Sequence, residues 1–378
     1  MKVLMQSRSN FNSLAGGDTV QLLKTKEQLE KLGVEVDLSL EWEPDLSGYD
    51  LVHLSNVTRI QETYLQMRNA KKYNKPVVLS TIFWPMDEFE KNGQIGIRGF
   101  LNARLDIDRI EKIKAAARYI KDKTARNIAT KNLITVGYSA MQKYVVENAD
   151  VFLPNSEMEM GKLCETFGLP KENYVVVPNG IDADIAKEKL AAPEVAEFEK
   201  FKDAIICVGR IETRKNQLAL VKALDGSPYT IVLVGNVSGN HKDYFKQIQY
   251  YLDKNENFHY IPRVENDKIY QLYKVCKVSA LPSWLDTPGL VSLEAAAMGC
   301  NLAISTKGST YEYFKDEAFY CEPDDIDSIR AAVTKAYETP KGKTLQDIIF
   351  QKYTWEEAAR QTLVGYEMAL ERFKMKES

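Results

Sequence analysis

The sequence predicts an α/β protein made of two doubly wound domains, each a parallel sheet covered by helices. Short apolar strands alternate with helical segments through the first half of the chain, and the same alternation restarts after residue 180. Strands that alternate with helices favour parallel sheets built from βαβ units. The chain has 378 residues, of which 44% are hydrophobic and 27% charged, as expected for two or three globular domains.

In the first half, Asp18 and Gly33 bound a predicted helix, as the N-cap residue and as the residue that follows the C-cap. Six segments of this half have the apolar or alternating pattern of strands. They are Val3–Met5, Val34–Leu38, Leu51–Leu54, Val77–Leu79, Ala149–Pro154 and Tyr174–Val177.

In the second half, the first predicted helix is Lys215–Leu224, and turn formers at Pro178-Asn179-Gly180 mark the boundary with the first half. We therefore expect a first domain over 1–180 and a second over 181–354, with a cleft between them. The predicted strands of the second domain are Ala204–Val208, Thr230–Val234, Phe258–Ile261, Val278–Leu281 and Leu302–Ile304.

Composition excludes several classes of protein. A net charge of −3 does not favour a nucleic-acid-binding protein. There is no apolar run of the ~18 residues that a transmembrane helix needs, and the opening MKVLM segment is expected to be a buried strand rather than a signal peptide. None of the five cysteines forms a Cys-x-x-Cys pair and the three histidines are dispersed, so we expect free thiols, no metal site and a cytoplasmic protein.

One segment carries a local excess of positive charge. Between Arg98 and Lys131, ten lysines and arginines face four acids, a net charge of +6 that leaves −9 for the rest of the chain. This pattern is typical of a solvated helix face. It also fits a surface that meets an anionic acceptor or the surface of a membrane, since clustered cations attract such partners.

The strongest chemical signal is the segment from Pro282 to Cys300. Asp286 lies in a loop after a predicted strand, and Glu294 lies in a helix that begins near Leu290. Ligands of open α/β sheets bind at the carboxyl ends of strands, and free N–H groups at a helix start suit phosphate or sugar oxygens. Glu294 could accept hydrogen bonds from a ribose; the alternative is that both acids are surface residues favoured by the helix dipole.

The second signal is Gly209-Arg210 with Lys215, again between a strand and a helix. An arginine fork and a lysine ammonium at the end of a strand could neutralise a departing diphosphate. The alternative is a basic surface turn.

The third signal is Gly16-Gly17, which follows the first strand and would allow the backbone to approach a ligand closely. The G-x-G-x-x-G spacing of dinucleotide-binding proteins and the P-loop pattern are both missing. A plain turn is the alternative here.

These three signals, in this order and spacing, resemble family 4 retaining glycosyltransferases of GT-B architecture (glycosyltransferase group 1) over nearly the whole chain. Further landmarks are Asn155-Ser156, the segment Val177–Asp182, and Tyr353–Ala358. Asp286 and Glu294, with seven residues between them, resemble the family's pair of glutamates. The resemblance implies two Rossmann-like domains facing a central cleft, with a C-terminal helix at about 355–378 that packs back on the first domain.

The resemblance also implies roles for individual residues. Arg210 and Lys215 would bind the donor diphosphate, Glu294 would hold the ribose, and Asp286 would contact the donor sugar, so that Arg210, Lys215 and Asp286 are the expected catalytic residues. The other expected donor-binding residues are Gly16 and Gly17 beside the diphosphate and the acceptor, Gly289, Leu290 and Val291 through their backbone, and Arg263 and Val264 beside the base.

The resemblance further implies a nucleotide-diphosphate sugar as co-substrate, with UDP favoured over GDP, and a glycan, lipid-linked or other hydroxyl acceptor. It implies no cofactor and no metal. The expected enzyme is a hexosyltransferase-type glycosyltransferase of polysaccharide biosynthesis, cytoplasmic or peripheral to a membrane.

Two positions depart from the family pattern. Asp286 is one methylene shorter than the usual glutamate, and Ile82 stands where many members have a histidine. Isoleucine cannot donate a hydrogen bond to a sugar hydroxyl. Two alternatives therefore stay open: a non-catalytic partner that binds a nucleotide-sugar, and an epimerase or phosphorylase on the same fold.

Overall fold

The computed structural model describes residues 1–11, 16–85, 88–89, 93 and 106–377. Within these, the chain forms two compact units. The first takes its described residues from 1–87, from 100–178 and from 355 onward. The second takes them from 88–99 and 179–354.

The first unit is built on a five-stranded parallel sheet with the strand order β2-β1-β3-β4-β5. Because β1 has β2 on one side and β3 on the other, the chain changes direction across the sheet beside β1. The strands are β1 (Lys2–Gln6), β2 (Glu35–Ser39), β3 (Leu51–Ser55), β4 (Val77–Ser80) and β5 (Val151–Leu153).

The strand predicted over Tyr174–Val177 is wrong. This segment runs beside β5, where Val175 N donates to Phe152 O and Val177 N donates to Pro154 O, but it forms only an isolated bridge. The reason is that β5 ends at Leu153, which leaves no partner for a longer ladder.

Seven helices are described in the first unit. The N-cap of α1 is Gly16 rather than the predicted Asp18, whose carboxylate instead accepts hydrogen bonds from Arg8. Gly33, with φ of +85°, follows the end of α1 as predicted. The helices are α1 (Gly17–Lys31), α2 (Ile60–Lys72), α3 (Ile107–Lys121), α4 (Ile128–Thr135), α5 (Tyr138–Asn148), α6 (Glu157–Phe167) and, last in the chain, α15 (Trp355–Glu377).

The C-terminal helix α15 packs on α1, β4 and β5 of the first unit. Its Tyr366 hydroxyl lies 2.7 Å from His53 Nδ1, and Lys376 forms a 2.7 Å ion pair with the buried Asp150. At Gly365 the helix approaches β5 so closely that an added Cβ would lie 2.5 Å from Leu153 Cδ2. The absence of a side chain at position 365 therefore lets α15 lie close to the sheet.

The second unit is built on a six-stranded parallel sheet with the order β11-β10-β9-β6-β7-β8. The chain leaves β6 for β7 and β8 on one side and returns to β9 on the other. The strands are β6 (Ile205–Val208), β7 (Ile231–Val234), β8 (Phe258–Ile261), β9 (Val278–Leu281), β10 (Asn301–Ser305) and β11 (Phe319–Cys321).

Helices pack on this second sheet, and the side chains of β6, β7 and β9 are almost completely buried. Where a single helix was predicted over Lys215–Leu224, a short 3-10 turn at Thr213–Lys215 precedes the α-helix. The helices are α7 (Ala183–Ala191), α8 (Gln217–Ala223), α9 (Lys242–Lys254), α10 (Asn266–Val275), α11 (Leu290–Ala297), α12 (Thr310–Phe314), α13 (Ile326–Glu338) and α14 (Thr344–Lys352).

We predict that Gly365→Leu lowers the free energy of unfolding by about 1–3 kcal/mol, because the new side chain overpacks the buried contact with Leu153. Gly161 is the matched control, since it lies inside α6 with open space around its Cα. There, leucine should stabilise the helix by about 0.5–1 kcal/mol. Thermal and urea unfolding of both variants measures the difference; equal effects would contradict the close packing at Gly365.

Candidate functional site

Two loops meet at the point where the second sheet changes direction. Residues 209–216 follow β6 and residues 282–289 follow β9, and these two strands are parallel neighbours. Their carboxyl ends therefore lie side by side, which is the place where open α/β sheets bind ligands.

Direct hydrogen bonds hold these two loops together. Trp284 N donates to Arg214 O at 2.9 Å, and Arg214 Nη1 donates to Leu285 O at 2.8 Å. Asn216 adds a third bond, from Nδ2 to Pro282 O at 3.1 Å. Asn216 has φ of +60°, a left-handed conformation that asparagine tolerates better than most residues. The loops thus form one rigid edge.

At this edge the structure brings together two of the predicted residues, Lys215 and Asp286. Lys215 Nζ lies 2.7 Å from Asp286 Oδ1, and both side chains are almost fully buried. Arg214 Nη1 lies 3.7 Å from the same oxygen, and Arg214 Nη2 forms a 3.0 Å ion pair with Glu212. Arg214 and Glu212 were not among the predicted site residues, although both lie between the predicted Arg210 and Lys215.

The charges around the pair favour the ionised form of Asp286. Burial alone would raise the pKa of the Asp286 carboxyl, but Lys215 and Arg214 outweigh it and the net pKa is lowered. Burial lowers the pKa of Lys215, and Asp286 offsets part of that shift. An ammonium has three donors, so Lys215 has further capacity to bind an anion.

Several buried polar atoms around the pair have no hydrogen-bond partner among the described residues. The second carboxylate oxygen of Asp286, Oδ2, is one of them. Buried polar groups are nearly always paired with protein groups, water or a ligand, so these atoms have the capacity to bind a polar ligand. The others are Ser292 Oγ, Ser309 Oγ and Asn179 Oδ1.

The backbone of Asp286 is held from a third loop, which follows β10. Ser309 N donates to Asp286 O at 3.2 Å. Gly308 has φ of +90°, and a Cβ on it would lie 1.8 Å from Asp286 O. Only glycine permits this approach, so the position of Asp286 is determined by backbone contacts as well as by its ion pair.

The other predicted cationic and base-contacting residues lie at the same sheet edge but outside this cluster. The Arg210 side chain is 48% exposed, and the nearest acid is Glu212 at 3.8 Å. Arg263 and Val264 follow β8, and β7 lies between that strand and β6. Arg263 is exposed and Val264 is partly buried against the core.

Glu294 lies in α11, which begins at Leu290 as predicted, with Gly289 as N-cap at φ of +90°. Burial alone raises the pKa of Glu294 to about 7, with no charged or hydrogen-bonding group of the described chain to offset it. The hydroxyl of the neighbouring Tyr273 has no hydrogen-bond partner among the described residues. A ligand that donates hydroxyl hydrogens to Glu294 would relieve the cost of its charge.

In the first unit, Gly16 and Gly17 lie at the start of α1, beside Arg8, which was not among the predicted site residues. Arg8 is buried and donates to both oxygens of Asp18, each at 3.2 Å. A small pocket lies next to them. Its lining includes Asp18, Gln21, His53, Ser55, Ser80 and Ile82.

Ile82 adopts an unusual backbone conformation on the wall of this pocket. Its φ is +41°, which is a strained value for a β-branched residue. The flanking residues are tied to the buried Glu159, which accepts hydrogen bonds from Thr81 Oγ1 and from Phe83 N at 2.8 Å. Glu159 Oε2 also accepts a 3.0 Å bond from Asn155 N. One buried carboxylate therefore joins the loops after β4 and β5.

Two features are missing from the described part of the chain. It contains no group of three or more metal-ligating side chains. None of its helices is long and apolar enough to cross a bilayer.

Two parallel-sheet α/β units with a polar site at a switch point define the GT-B class of fold. Sucrose-phosphate synthase from Thermosynechococcus elongatus has this fold, with a TM-score of 0.70 at 16% identity over 97% of this chain and 98% of its own. The Anabaena protein HepE in complex with UDP-glucose gives a TM-score of 0.67 at 16% identity over 97% and 99%. The predicted GT-B architecture is confirmed.

Residues 189–355 match the family model of the glycosyl transferases group 1. An uncharacterized glycosyltransferase of Methanocaldococcus jannaschii is 27% identical over 228 residues, 56% of this chain and 58% of the relative. The match thus spans little more than half of that relative's length. The predicted resemblance to glycosyltransferase group 1 is confirmed over this segment, and the family 4 assignment stays a prediction.

We predict that Glu294→Gln removes a pH dependence of stability. Since folding raises the pKa of Glu294 from an ordinary 4.5 to about 7, the folded protein holds this proton more tightly than the unfolded chain does. The wild type should therefore lose up to ~3 kcal/mol between pH 4.5 and 7 relative to the variant.

Urea unfolding of both proteins at pH 5 and pH 7.5 measures this change. The exposed Glu338, on α13 of the same unit, provides the control variant Glu338→Gln. If the difference in stability between the wild type and Glu294→Gln is the same at both pH values, the surroundings of Glu294 do not raise its pKa in the folded protein.

Proposed function

We propose that this protein is a retaining glycosyltransferase that moves a sugar from a nucleotide-diphosphate sugar to a hydroxyl acceptor without a metal ion. The observation that carries the proposal is the buried Lys215–Asp286 pair, 2.7 Å apart, with an unpartnered carboxylate oxygen beside it among the described residues. This pair lies at the switch point of the unit that contains the group 1 segment.

In the proposed complex, Arg210 and Lys215 bind the diphosphate, helped by the free N–H groups at the start of α11. Arg210, which lies beside the cluster, adds a third cation to Arg214 and Lys215, against two acids, Glu212 and Asp286, a net charge of +1. This surplus favours a dianionic ligand. Asp286 Oδ2 accepts a donor-sugar hydroxyl, and Glu294 accepts the ribose hydroxyls.

The remaining donor contacts come from the backbone of Gly289, Leu290 and Val291 and from Arg263 and Val264 beside the base. UDP is favoured over GDP; the UDP-glucose bound in the similarly folded Anabaena protein supports this choice. We further propose that residues 1–180 with the C-terminal helix are the acceptor side, with Gly16 and Gly17 beside the diphosphate, and that 181–354 bind the donor.

The chemical step breaks the bond between the anomeric carbon and the β-phosphate oxygen, and the acceptor oxygen bonds to the same face of the sugar. Both electrons of the broken bond leave with the diphosphate, whose growing charge Arg210 and Lys215 stabilise. The departing phosphate accepts the proton of the acceptor hydroxyl. A general base is worth ~10²–10⁴-fold, so a phosphate in that role makes the isoleucine at position 82 compatible with activity.

The alternative functions differ in what they consume and what they produce. An epimerase interconverts nucleotide-sugars without releasing nucleoside diphosphate, and a phosphorylase requires inorganic phosphate. A non-catalytic binding partner forms no product with any acceptor. Product analysis by NMR with and without a sugar or lipid-linked acceptor separates all of these and reads the anomeric configuration.

We predict that three alanine variants fail in different ways in chelator-containing buffer. Lys215→Ala should lower kcat by about 10²–10³-fold, because Lys215 meets charge that grows in the transition state. Glu294→Ala should mainly raise KM for the donor, because the ribose is held equally before and during reaction. Asp286→Ala should weaken binding of the intact donor and spare free nucleoside diphosphate.

Steady-state kinetics and calorimetry with UDP, GDP and their sugars measure these effects. Lys222→Ala, an exposed lysine on α8 of the same unit, is the matched control. Two results would oppose the roles: a strict requirement for a divalent ion, and an Asp286→Ala variant that loses diphosphate affinity while Lys215→Ala keeps normal transfer.

We also propose that α3 contacts an anionic membrane surface. The first part of the predicted basic segment, residues 98–105, lies outside the described residues. In the described part, Ile113 and Ile120 lie seven residues apart on one face of α3 and are 58% and 72% exposed. Exposed cations on α3 and just after it include Arg118, Lys121 and Lys123. Exposed aliphatics beside cations are typical of helices that lie in a membrane interface.

We predict that the double variant Ile113→Ser/Ile120→Ser binds vesicles of anionic phospholipid at least ~10-fold more weakly than the wild type. Sedimentation with anionic and with neutral vesicles, at low and high salt, measures the partitioning. The control is Tyr250→Ser, an exposed apolar residue at 62% on α9. Wild-type protein that does not bind anionic vesicles at low salt would contradict the proposal.

A further inference from the structure

Arg214 has no part in the reaction as described, yet it holds the 282–289 loop at two points. Its carbonyl oxygen accepts from Trp284 N, and its Nη1 donates to Leu285 O at 2.8 Å. Lys215 and Asn216, the next two residues, each donate one side-chain hydrogen bond to the same loop. Three successive residues thus hydrogen-bond to the segment that contains Asp286.

The guanidinium of Arg214 is held from both sides. Nη2 donates to Glu212 at 3.0 Å, and Nη1 donates to the carbonyl that immediately precedes Asp286. The planar guanidinium has fixed donor directions and can donate to both acceptors at once. A lysine ammonium on a flexible chain cannot do so with the same geometry.

The two oxygens of Asp286 have unequal surroundings as a result. Lys215 and Arg214 both lie near Oδ1, at 2.7 and 3.7 Å, whereas Oδ2 is buried without a partner among the described residues. Because aspartate has one torsion fewer than glutamate, the direction of Oδ2 depends on the backbone of residue 286. That backbone is held by Arg214 through Leu285 O and by Ser309 N through Asp286 O.

We propose that Arg214 is a positioning residue for donor-sugar recognition: it fixes the short Asp286 side chain so that Oδ2 faces the sugar while Lys215 and Arg214 occupy Oδ1. This inference rests on the proposed function. It assigns Arg214 to recognition of the sugar and not to binding of the diphosphate.

The test compares the affinities for UDP and UDP-glucose, and for GDP and GDP-mannose, by calorimetry. Arg214→Met should weaken binding of the nucleotide-sugar about 10- to 100-fold, the size expected for loss of a hydrogen bond to a charged group, and change nucleoside-diphosphate affinity by less than about threefold. Arg214→Lys should restore charge but not the discrimination, because one ammonium cannot hold both Leu285 O and Glu212.

Arg330→Met is the matched control, since Arg330 on α13 also donates to a backbone carbonyl, Ala223 O at 2.6 Å, and pairs with an acid, Asp327 at 2.8 Å. It should leave both affinities unchanged. In an Asp286→Asn background, Arg214→Met should have little further effect on the ratio of the two affinities, since positioning acts through the carboxylate. Thermal unfolding of each variant shows that it is folded.

Several results would overturn the proposal. Equal loss of nucleoside-diphosphate and nucleotide-sugar affinity in Arg214→Met would make Arg214 a phosphate ligand. Rescue by Arg214→Lys, or a full additional loss in the Asp286→Asn background, would remove the positioning role. If the wild type binds the nucleotide-sugars and Arg214→Met leaves the ratio of nucleotide-sugar to nucleoside-diphosphate affinity unchanged, only this inference is wrong. If the wild type binds neither class of ligand, the proposed function is wrong as well.

Discussion

The ion pair between Lys215 and Asp286 joins two loops that are 71 residues apart in the chain but follow adjacent strands of the second sheet. Removing one partner of a buried pair leaves an uncompensated charge, which typically costs about 3–5 kcal/mol. The surrounding loops are arranged around this constraint. Arg214, Asn216 and Gly308 each fix the backbone on one side of the pair.

The same pair gives the site its chemical character. Burial excludes water, so charges act over short distances with less screening than at the surface. Lys215 keeps donors available after it has met Asp286, and among the described residues nothing occupies the second oxygen of Asp286. A cation that can take a phosphate therefore lies beside an acceptor that can take a hydroxyl, which is the combination that a nucleotide-sugar requires.

The first unit contains a different device for holding loops in place. Glu159 is completely buried and joins the loops after β4 and β5, and the strained Ile82 lies within the loop that it holds. Arg8 and Asp18 similarly join the end of β1 to the start of α1 through their hydrogen bonds. Strain of this kind persists only where the surrounding contacts over-determine the backbone. In both units, buried charges rather than apolar packing set the geometry of the polar sheet edge.

The sequence by itself predicted most of the strands and the class of fold, because alternation of apolar strands with helices is a local pattern. It also offered Lys215, Asp286 and Glu294 as candidates, since strand ends and helix starts are readable from neighbouring residues. It mispredicted the strand at Tyr174–Val177, whose existence depends on how far its partner β5 extends.

Only the tertiary structure decided which of those residues meet. Arg214 holds the loop of Asp286 through a hydrogen bond to a residue 71 positions away in the chain. No local sequence pattern distinguishes Arg214 or its partner Glu212 from the residues of an ordinary basic turn. The raised pKa of Glu294 likewise depends on what buries it. The physical reason is that burial, distance and unpaired hydrogen-bonding capacity are properties of the folded neighbourhood, which the chain assembles from segments far apart in sequence.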